Sequence, residues 1–162
     1  MSDGKKQLLQ LIVAGLEADL QLLSAAARTA HVAATHEECL PDNKYDTTAL
    51  EASYIAQGQA NRAQEIRIAL ESYRALVLHT FDDGTPIRLT ALIELEDADG
   101  NVRRLFLGPQ GGGMKIRDGA GEIVVITPGS PLGRNLLGCK VGDEVQAGAS
   151  EAATLFNIVA VS

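Results

Sequence analysis

Aromatic side chains are scarce in this chain of 162 residues. Tryptophan is absent, and aromatic residues make up only 4% of the chain, although 46% of its residues are hydrophobic. A core must therefore be built mainly from leucine, alanine and valine, as in helical pairs and small sheets. The length leaves room for one domain of ordinary size or for two small units.

Cysteine is also scarce. Cys39 and Cys139 lie far apart and do not form a disulfide framework. The sequence carries no secretory signal pattern. Its most apolar N-terminal stretch, Leu8–Val13, is interrupted by Gln10 and soon followed by Glu17, so we expect no membrane-spanning segment. These features predict a cytoplasmic protein with reduced thiols and no membrane partner.

Basic residues are outnumbered by acidic ones. Lysine and arginine together number 14 against 21 aspartates and glutamates, which gives a formal net charge of −7. An independent nucleic-acid-binding protein normally carries a basic face, so this balance argues against that class. A protein partner with a positively charged surface is compatible with it.

The first part of the chain has a helical pattern. Residues 5 to 35 contain no proline and a single glycine, Gly15. Apolar residues in this run are separated alternately by four and three positions, which is the heptad spacing of a coiled coil. The positions of this seam are Leu9, Val13, Leu16, Leu20, Leu23, Ala27, Ala30 and Ala34.

A second helical run is predicted from about Thr48 to Leu78, and the turn before it contains Pro41. Residues 1–80 therefore predict an antiparallel coiled-coil hairpin with its tip at residues 37–51. Such a closed hairpin implies a monomer, whereas pairing of the same helices between chains would make a homo-oligomer, and this alternative stays open. The second seam is Ala52, Ile55, Gln59, Arg62, Ile66, Ala69, Tyr73 and Leu76.

From Phe81 onward the apolar period changes to two, which is typical of strands. Residues 81–162 therefore predict a compact α+β unit, and the fold class of the chain is α+β. The predicted elements are a hairpin of Leu89–Leu95 and Val102–Leu107 around the turn Asp97–Asn101, a loop at Gly108–Gly113, and strands at Glu122–Ile126 and Thr154–Val161.

The segment from Ile126 to Val145 predicts a strand, a short capped helix, a turn and another strand. Ser130 is a favourable N-cap, Pro131 suits the first helical position, and Gly138 suits the position just after the helix. The helix gains one apolar side from Leu132, Leu136 and Leu137.

The predicted hairpin tip concentrates acidic residues, with Lys44 as its one basic residue. A solvated turn, with Asp46 or Thr47 capping the second helix, explains this charge without a function. A cluster of carboxylates presented to a hard cation held elsewhere, such as Mg²⁺, is the functional alternative. The acidic residues are Glu37, Glu38, Asp42, Asp46 and Glu51.

The sequences Ser130-Pro131-Leu132-Gly133 and Val141-Gly142-Asp143-Glu144-Val145, together with the helical N-terminal half, closely resemble the Gre-factor family. Members of this family are bacterial transcription elongation factors that bind RNA polymerase. The resemblance implies an N-terminal coiled coil that enters the secondary channel of the polymerase and a C-terminal domain with a fold like FK506-binding prolyl isomerases. It implies no enzyme activity and no cofactor of the chain's own.

The resemblance also implies a role for the tip. In the family, tip carboxylates help to hold the second Mg²⁺ of the polymerase active site, where backtracked nascent RNA is cut. Family tips carry an Asp and a Glu three residues apart. One alignment places Asp46 on the Asp and Ala49 on the Glu, and the other places Thr48 and Glu51 there, while Asp42 could substitute from the turn. Stimulated cleavage and channel occupancy without cleavage therefore both stay open.

Further candidates are weaker on sequence grounds. Arg103 and Arg104 lie on a predicted strand and are either a solvated edge or, by the resemblance, docking contacts together with Ser130, Pro131 and Leu132. Prolyl isomerisation needs an aromatic-lined pocket, and residues 81–162 hold only three aromatic side chains, so we do not expect that activity. These are Phe81, Phe106 and Phe156.

Three other motifs have simpler explanations. The residues His31, His36 and Cys39 are too few and too loosely spaced for a structural zinc site. The Gly108–Gly113 segment lacks the Gly-Lys-Ser/Thr sequence of a phosphate-binding loop. Ser130 with His36 or His79 lacks the sharp-turn motif of a serine nucleophile, and its role as a helix cap suffices.

Overall fold

The computed structural model describes residues 2–37, 46–147 and 154–162. Two long helices, α1 (Ser2–Glu37) and α2 (Asp46–Arg74), precede a six-stranded mixed sheet and a short helix, α3 (Pro131–Leu136). The fold class is therefore α+β, as the sequence predicts. The strands are β1 (Leu92–Glu96), β2 (Val102–Leu107), β3 (Lys115–Asp118), β4 (Gly121–Ile126), β5 (Glu144–Ala147) and β6 (Thr154–Val161).

The buried stripe of α1 differs from the predicted seam in its first turns. Leu8, Ile12 and Leu16 are buried, whereas Leu9 and Val13 are only half-buried. The prediction assumed that a partner helix sets the buried side, but residues 1–13 belong with the sheet unit, where Lys5 donates hydrogen bonds to His79 and Ser162. The seam was therefore wrong by one position at Leu9 and Val13.

The helix α1 also changes the expectation about membranes. By length and composition alone, its segment Asp3–Thr29 is long and apolar enough to cross a bilayer. The expectation that no segment meets this criterion is therefore wrong. A buried helix of a soluble protein and a signal sequence pass the same test, so composition by itself assigns α1 to neither environment.

Of the predicted seam positions in α2 whose side chains are described, only those in the C-terminal half are buried. Ile66, Ala69 and Tyr73 are buried as predicted, and the side chain of Ile55 is 63% exposed. The exposed Arg62 separates these two parts of the seam. The helix begins two residues before the predicted Thr48 and ends four residues before the predicted Leu78.

Internal contacts divide the chain into two compact units. One unit contains residues 1–13 and 72–162, and the other contains residues 14–71. The first unit is thus discontinuous in sequence, because the start of α1 and the last turn of α2 belong with the sheet. The sequence-based division at residues 80 and 81 stays a prediction.

The strands follow the order β3-β4-β2-β1-β6-β5. The predicted hairpin of β1 and β2 is confirmed, with Leu92 opposite Phe106 and Glu96 opposite Val102. Strand β2 pairs in parallel with β4, and the other neighbours are antiparallel. The prediction missed β3, and it began β1 at Leu89, although Thr90 has a positive φ of 78° that interrupts a strand.

The two faces of the sheet are buried differently. The core face carries most of the buried side chains, including Ile93, Leu95 and Phe156, and α3 packs on this side through Leu136. On the opposite face, Phe106 is buried at the β2 position paired with β4. An antiparallel sheet commonly buries one face and leaves part of the other accessible.

Candidate functional site

The predicted tip carboxylates fall only partly on described residues. Asp42 lies outside them, Asp46 is the first residue of α2, and Glu51 follows five positions later in the same helix. On an α-helix, five positions correspond to about 140° around the axis and about 7.5 Å along it. The backbone therefore separates these two candidate positions around α2.

The helix α3 is built as its sequence predicts. Ser130 adopts an extended conformation (φ −73°, ψ 155°), and its Oγ accepts a hydrogen bond from the backbone N–H of Gly133 at 3.1 Å. Pro131 is the first helical residue, and Gly138 follows the C-cap with a positive φ of 83°. The N-cap and the glycine after the helix thus fix both ends of α3.

The same contacts exclude Ser130 as a nucleophile in this arrangement. Its hydroxyl donates a hydrogen bond to the main-chain oxygen of Thr127 at 2.7 Å. A nucleophilic serine would instead donate to a base such as histidine. Of the predicted docking residues, Leu132 packs partly against the core, and Pro131 is exposed. In the α3 segment the serine hydroxyl is therefore used by the helix cap.

The two adjacent arginines of β2 have different surroundings. Arg104 and Asp118 form a bidentate ion pair with N–O distances of 2.8 and 3.0 Å, and the Arg104 side chain is 18% exposed. The hydrogen bonds from Arg104 lower the pKa of the Asp118 carboxyl. Arg103 is exposed, with its guanidinium 5.1 Å from the ring centre of Phe156. Arg103 is therefore the more accessible of these two predicted contact residues.

The thiol of Cys139 is not an activated nucleophile. It is half-buried, and its Sγ donates to the main-chain oxygen of Asn135 at 3.1 Å. Burial, followed by the charge of Asp143, raises the pKa of this thiol. Reactive cysteines have lowered pKa values, so the environment of Cys139 favours a packing role.

Two of the alternative sites can be compared with the structure. The Gly108–Gly113 loop uses its amides internally, since Gly108 and Gly113 donate to Ile126 and Val125 at 2.9 and 2.7 Å. Among the described residues, no three histidine, cysteine or acidic side chains are grouped to hold a metal ion. Cys39 lies outside those residues, so the expectation that His31, His36 and Cys39 form no structural zinc site is not tested.

A buried lysine was missed by the sequence analysis. The Nζ of Lys5 donates to the main-chain oxygens of His79 at 2.7 Å and Ser162 at 3.0 Å. It also lies 4.8 Å from the ring centre of Phe81. The signal was present, because Lys5 precedes Leu8 by three positions and therefore continues the apolar stripe of α1.

The burial of Lys5 predicts a dependence of stability on pH. Burial lowers the pKa of this ammonium from 10.5 to about 8. Between these values the unfolded chain binds more protons than the folded chain, so this residue makes the free energy of unfolding rise with pH across that window. We expect the rise to be larger in the wild type than in Lys5→Met, as measured by urea unfolding at several pH values.

The exposed neighbour Lys6 supplies the control for this prediction. Lys6→Met changes the net charge by the same amount but removes no buried group. Its pH dependence should follow that of the wild type. Equal slopes for Lys5→Met and Lys6→Met between pH 8 and 10.5 would contradict the assignment.

The last turn of α2 contacts the loop after β2 through Tyr73, a contact that the sequence did not indicate. The Tyr73 side chain is fully buried, and its hydroxyl donates to the main-chain oxygen of Gln110 at 2.5 Å. Burial is the main cause that raises the pKa of this phenol. The Tyr73 ring also lies directly against Gly108.

A shallow groove of about 420 Å³ runs along one side of α1 within the unit of residues 14–71. Its lining residues are Leu20, Gln21, Ser24, Ala25 and Arg28. They provide apolar contact and one positive charge, but no pair of groups for acid–base chemistry. The described residues thus define the chain as an α+β protein.

Comparison with known proteins finds similar solved structures only. No family model and no curated protein matches the sequence. The structure of the transcription factor Gfh1 is 22% identical, covers 92% of each chain and has a TM-score of 0.40. Gfh1 of Thermus thermophilus, a GreA factor homolog, is 21% identical over 93% of this chain and 94% of that chain, with a TM-score of 0.38.

The prokaryotic transcription elongation factor GreA/GreB from Nitrosomonas europaea is 18% identical and also has a TM-score of 0.38. The similarity covers 82% of this chain and 91% of that chain. These identities and TM-scores are too low to carry a function over to this protein.

Proposed function

We propose that this chain is an RNA polymerase-binding transcription elongation factor of the Gre type. The observation that carries the proposal is the segment Ser130-Pro131-Leu132-Gly133, whose sequence resembles that family and which forms a capped helix here. A Cβ atom at position 133 would overlap the main-chain oxygen of Thr127. The glycine in this pattern therefore has a steric reason. A local structure shared with the family explains it better than a chance match of residues does.

The finer architecture belongs to the same proposal. Residues 1–80 form an antiparallel coiled-coil hairpin that enters the secondary channel, and residues 81–162 form an FKBP-like domain that docks outside it. The 36 residues of α1 and the 29 residues of α2 support this arrangement, because they are long enough for arms of about 54 and 43 Å. The protein acts as a cytoplasmic monomer in this proposal.

The tip at residues 37–51 supplies carboxylate oxygens to the active site of the polymerase. Asp46, with Glu51 or Asp42, is the candidate donor, and carboxylate oxygens are the protein ligands that Mg²⁺ prefers. The metal ion and the bond-breaking chemistry belong to the polymerase. The chain is therefore not itself an enzyme, holds no cofactor of its own and contacts the nascent RNA only indirectly.

A second candidate function is occupation of the channel without cleavage. The spacing of Asp46 and Glu51 favours it, because positions three apart on a helix are neighbours and positions five apart are not. A factor with this tip would still compete with cleavage factors for the polymerase. The two candidate functions differ only in whether backtracked RNA is cleaved.

An RNA-cleavage assay on a stalled, backtracked elongation complex in the presence of Mg²⁺ tests the proposal. We expect the wild-type protein to produce shortened transcripts and Asp46→Ala to lose at least about tenfold of this rate, since one charged ligand contributes on the order of 1.4 kcal/mol or more. Glu51→Ala shows whether this second acid contributes. Glu71→Ala, an exposed acid in the same helix, is the matched control and should cleave normally.

The remaining outcomes separate the candidates. Absence of cleavage together with competition against a known cleavage factor assigns the channel-occupying function. Absence of both effects would contradict any polymerase function. Equal losses of cleavage rate with Glu71→Ala and Asp46→Ala would show that the tip carboxylates do not account for cleavage.

A further inference from the structure

The groove on α1 lies in a helical unit that buries few of its residues. Within two described ranges, 17–29 of α1 and 53–65 of α2, none of the residues is buried. The groove lined by residues 20 to 28 is shallow and mostly apolar, and it is open to solvent. An apolar surface that stays in contact with water is a candidate for binding another molecule.

Two opposite charges lie in line with this groove. Arg28 lines its end, and Glu17 lies eleven positions earlier on the same helix. Eleven positions correspond to about three full turns plus 20°, and to about 16 Å along the helix axis. Both residues are exposed, and Glu17 also has an interaction within its own chain. One side of α1 therefore carries a negative charge before the groove and a positive charge at its far end.

The residues on this side of α1 are arranged symmetrically about one point. Three pairs of positions share a midpoint, which lies between residues 22 and 23. A two-fold axis through this point brings one member of each pair level with the other member on a second, antiparallel helix. A glutamate then meets an arginine at both ends of the contact. The pairs are Glu17 with Arg28, Leu20 with Ala25, and Gln21 with Ser24.

We propose that this side of α1 pairs with the same side of a second copy of the chain, in antiparallel orientation. Ion pairs between Glu17 of each copy and Arg28 of the other set the register, and the apolar lining of the groove is removed from water. A parallel pair in register would place Arg28 against Arg28, which is unfavourable. A nucleic acid would meet one arginine in line with one glutamate, so the charges favour a second copy over that occupant.

The contact is short, because it extends over only the three helical turns between Glu17 and Arg28. Interfaces that bury less than about 1,000 Å² are weak or transient, so we expect a reversible dimer with a Kd on the order of tens of micromolar. The inference goes beyond the function proposed above. In that function the helices enter the polymerase channel as a monomer, so a dimer paired along α1 is a form that cannot enter, and dilution releases the active monomer.

Sedimentation equilibrium of the full chain, without polymerase, tests the inference. We expect the wild type to change from monomer to dimer between about 5 and about 500 µM at low ionic strength. Glu17→Arg and Arg28→Glu should each weaken the dimer at least about tenfold, because each variant brings like charges together at both ends of the contact. An equimolar mixture of these two variants should dimerise like the wild type, since opposite charges then meet again between the copies.

Asp19→Arg is the matched control, because it makes the same change of charge about 200° around α1 from Glu17. It should dimerise like the wild type, and a loss equal to that of Glu17→Arg would overturn the proposal. A wild type that stays monomeric up to about 500 µM would also overturn it and leave the groove to a partner of another sequence.

The mixture of variants separates pairing between copies from an effect inside one chain. A second copy cannot restore an interaction that Glu17 makes within its own chain. A mixture that dimerises no better than either variant alone would therefore overturn the proposal. Because the polymerase is absent from this assay, its outcome is independent of whether the proposed transcription function is correct.

Discussion

Alanine in place of Gly133 should lower the free energy of unfolding by more than about 3 kcal/mol, the range of severe overpacking. The added Cβ would overlap the main-chain oxygen of Thr127 and lie 2.8 Å from the Oγ of Ser130. That oxygen cannot easily move, because it accepts hydrogen bonds from both the backbone N–H and the hydroxyl of Ser130 at 3.1 and 2.7 Å. Relief of the overlap would therefore break the N-cap of α3.

Urea unfolding followed by circular dichroism measures this effect. Gly129→Ala is the matched control, because it lies four positions earlier and its Cβ would meet no atom within 4 Å. We expect the control to stay within about 0.5 kcal/mol of the wild type. Similar losses for the two variants would show that the close approach to Thr127 does not decide the stability of this segment.

Alanine in place of Gly108 should be destabilising by about 2–3 kcal/mol, and the loss should depend on Tyr73. The added Cβ would overlap the Tyr73 hydroxyl and lie 3.1 Å from Cζ of the same ring. It would also lie 3.3 Å from Cγ1 of Val125. The hydroxyl is held by its hydrogen bond to Gln110, and the ring is fully buried, so the tyrosine has little freedom to withdraw.

A double-mutant cycle with Tyr73→Phe measures this dependence. Tyr73→Phe alone should lower the free energy of unfolding by about 1 kcal/mol through loss of the hydrogen bond. With the hydroxyl already removed, Gly108→Ala should be at least about 1 kcal/mol less harmful than in the wild type. Gly112→Ala, which would make only an ordinary contact at 3.4 Å with Thr127, is the control. Additive losses would contradict the predicted overlap with the hydroxyl.

The parts of the fold that were predicted correctly depend on local signals. Helix α3 has its N-cap, first-turn proline and terminal glycine within nine residues, and strands β2 and β6 have the predicted bounds. Strand β3 was missed because Ile116 is its one buried residue and its pairing with β4 depends on tertiary structure. The start of β1 was placed too early because no sequence signal announces a positive φ at a threonine such as Thr90.

The candidate sites also differ in whether their signal is local in the sequence or depends on tertiary structure. The capping role of Ser130 was predictable, because cap and helix are adjacent in sequence. The pairing of Arg104 with Asp118 joins residues on β2 and β3, and no pattern in the sequence specifies that partner. The pattern around Lys5 contained enough information to place it on the buried side of α1, but the heptad interpretation assigned that side one position away.

The discontinuous sheet unit constrains how this protein can fold during synthesis. The first 13 residues leave the ribosome well before the strands that complete their unit, and 58 residues of the other unit follow them. The amine of Lys5 can donate its hydrogen bond to the main-chain oxygen of Ser162 only after that residue, 157 positions later, has been synthesised. Contacts of such long range form slowly, because loop closure must precede them. The start of α1 therefore cannot complete its contacts with the sheet unit until Ser162 has left the ribosome.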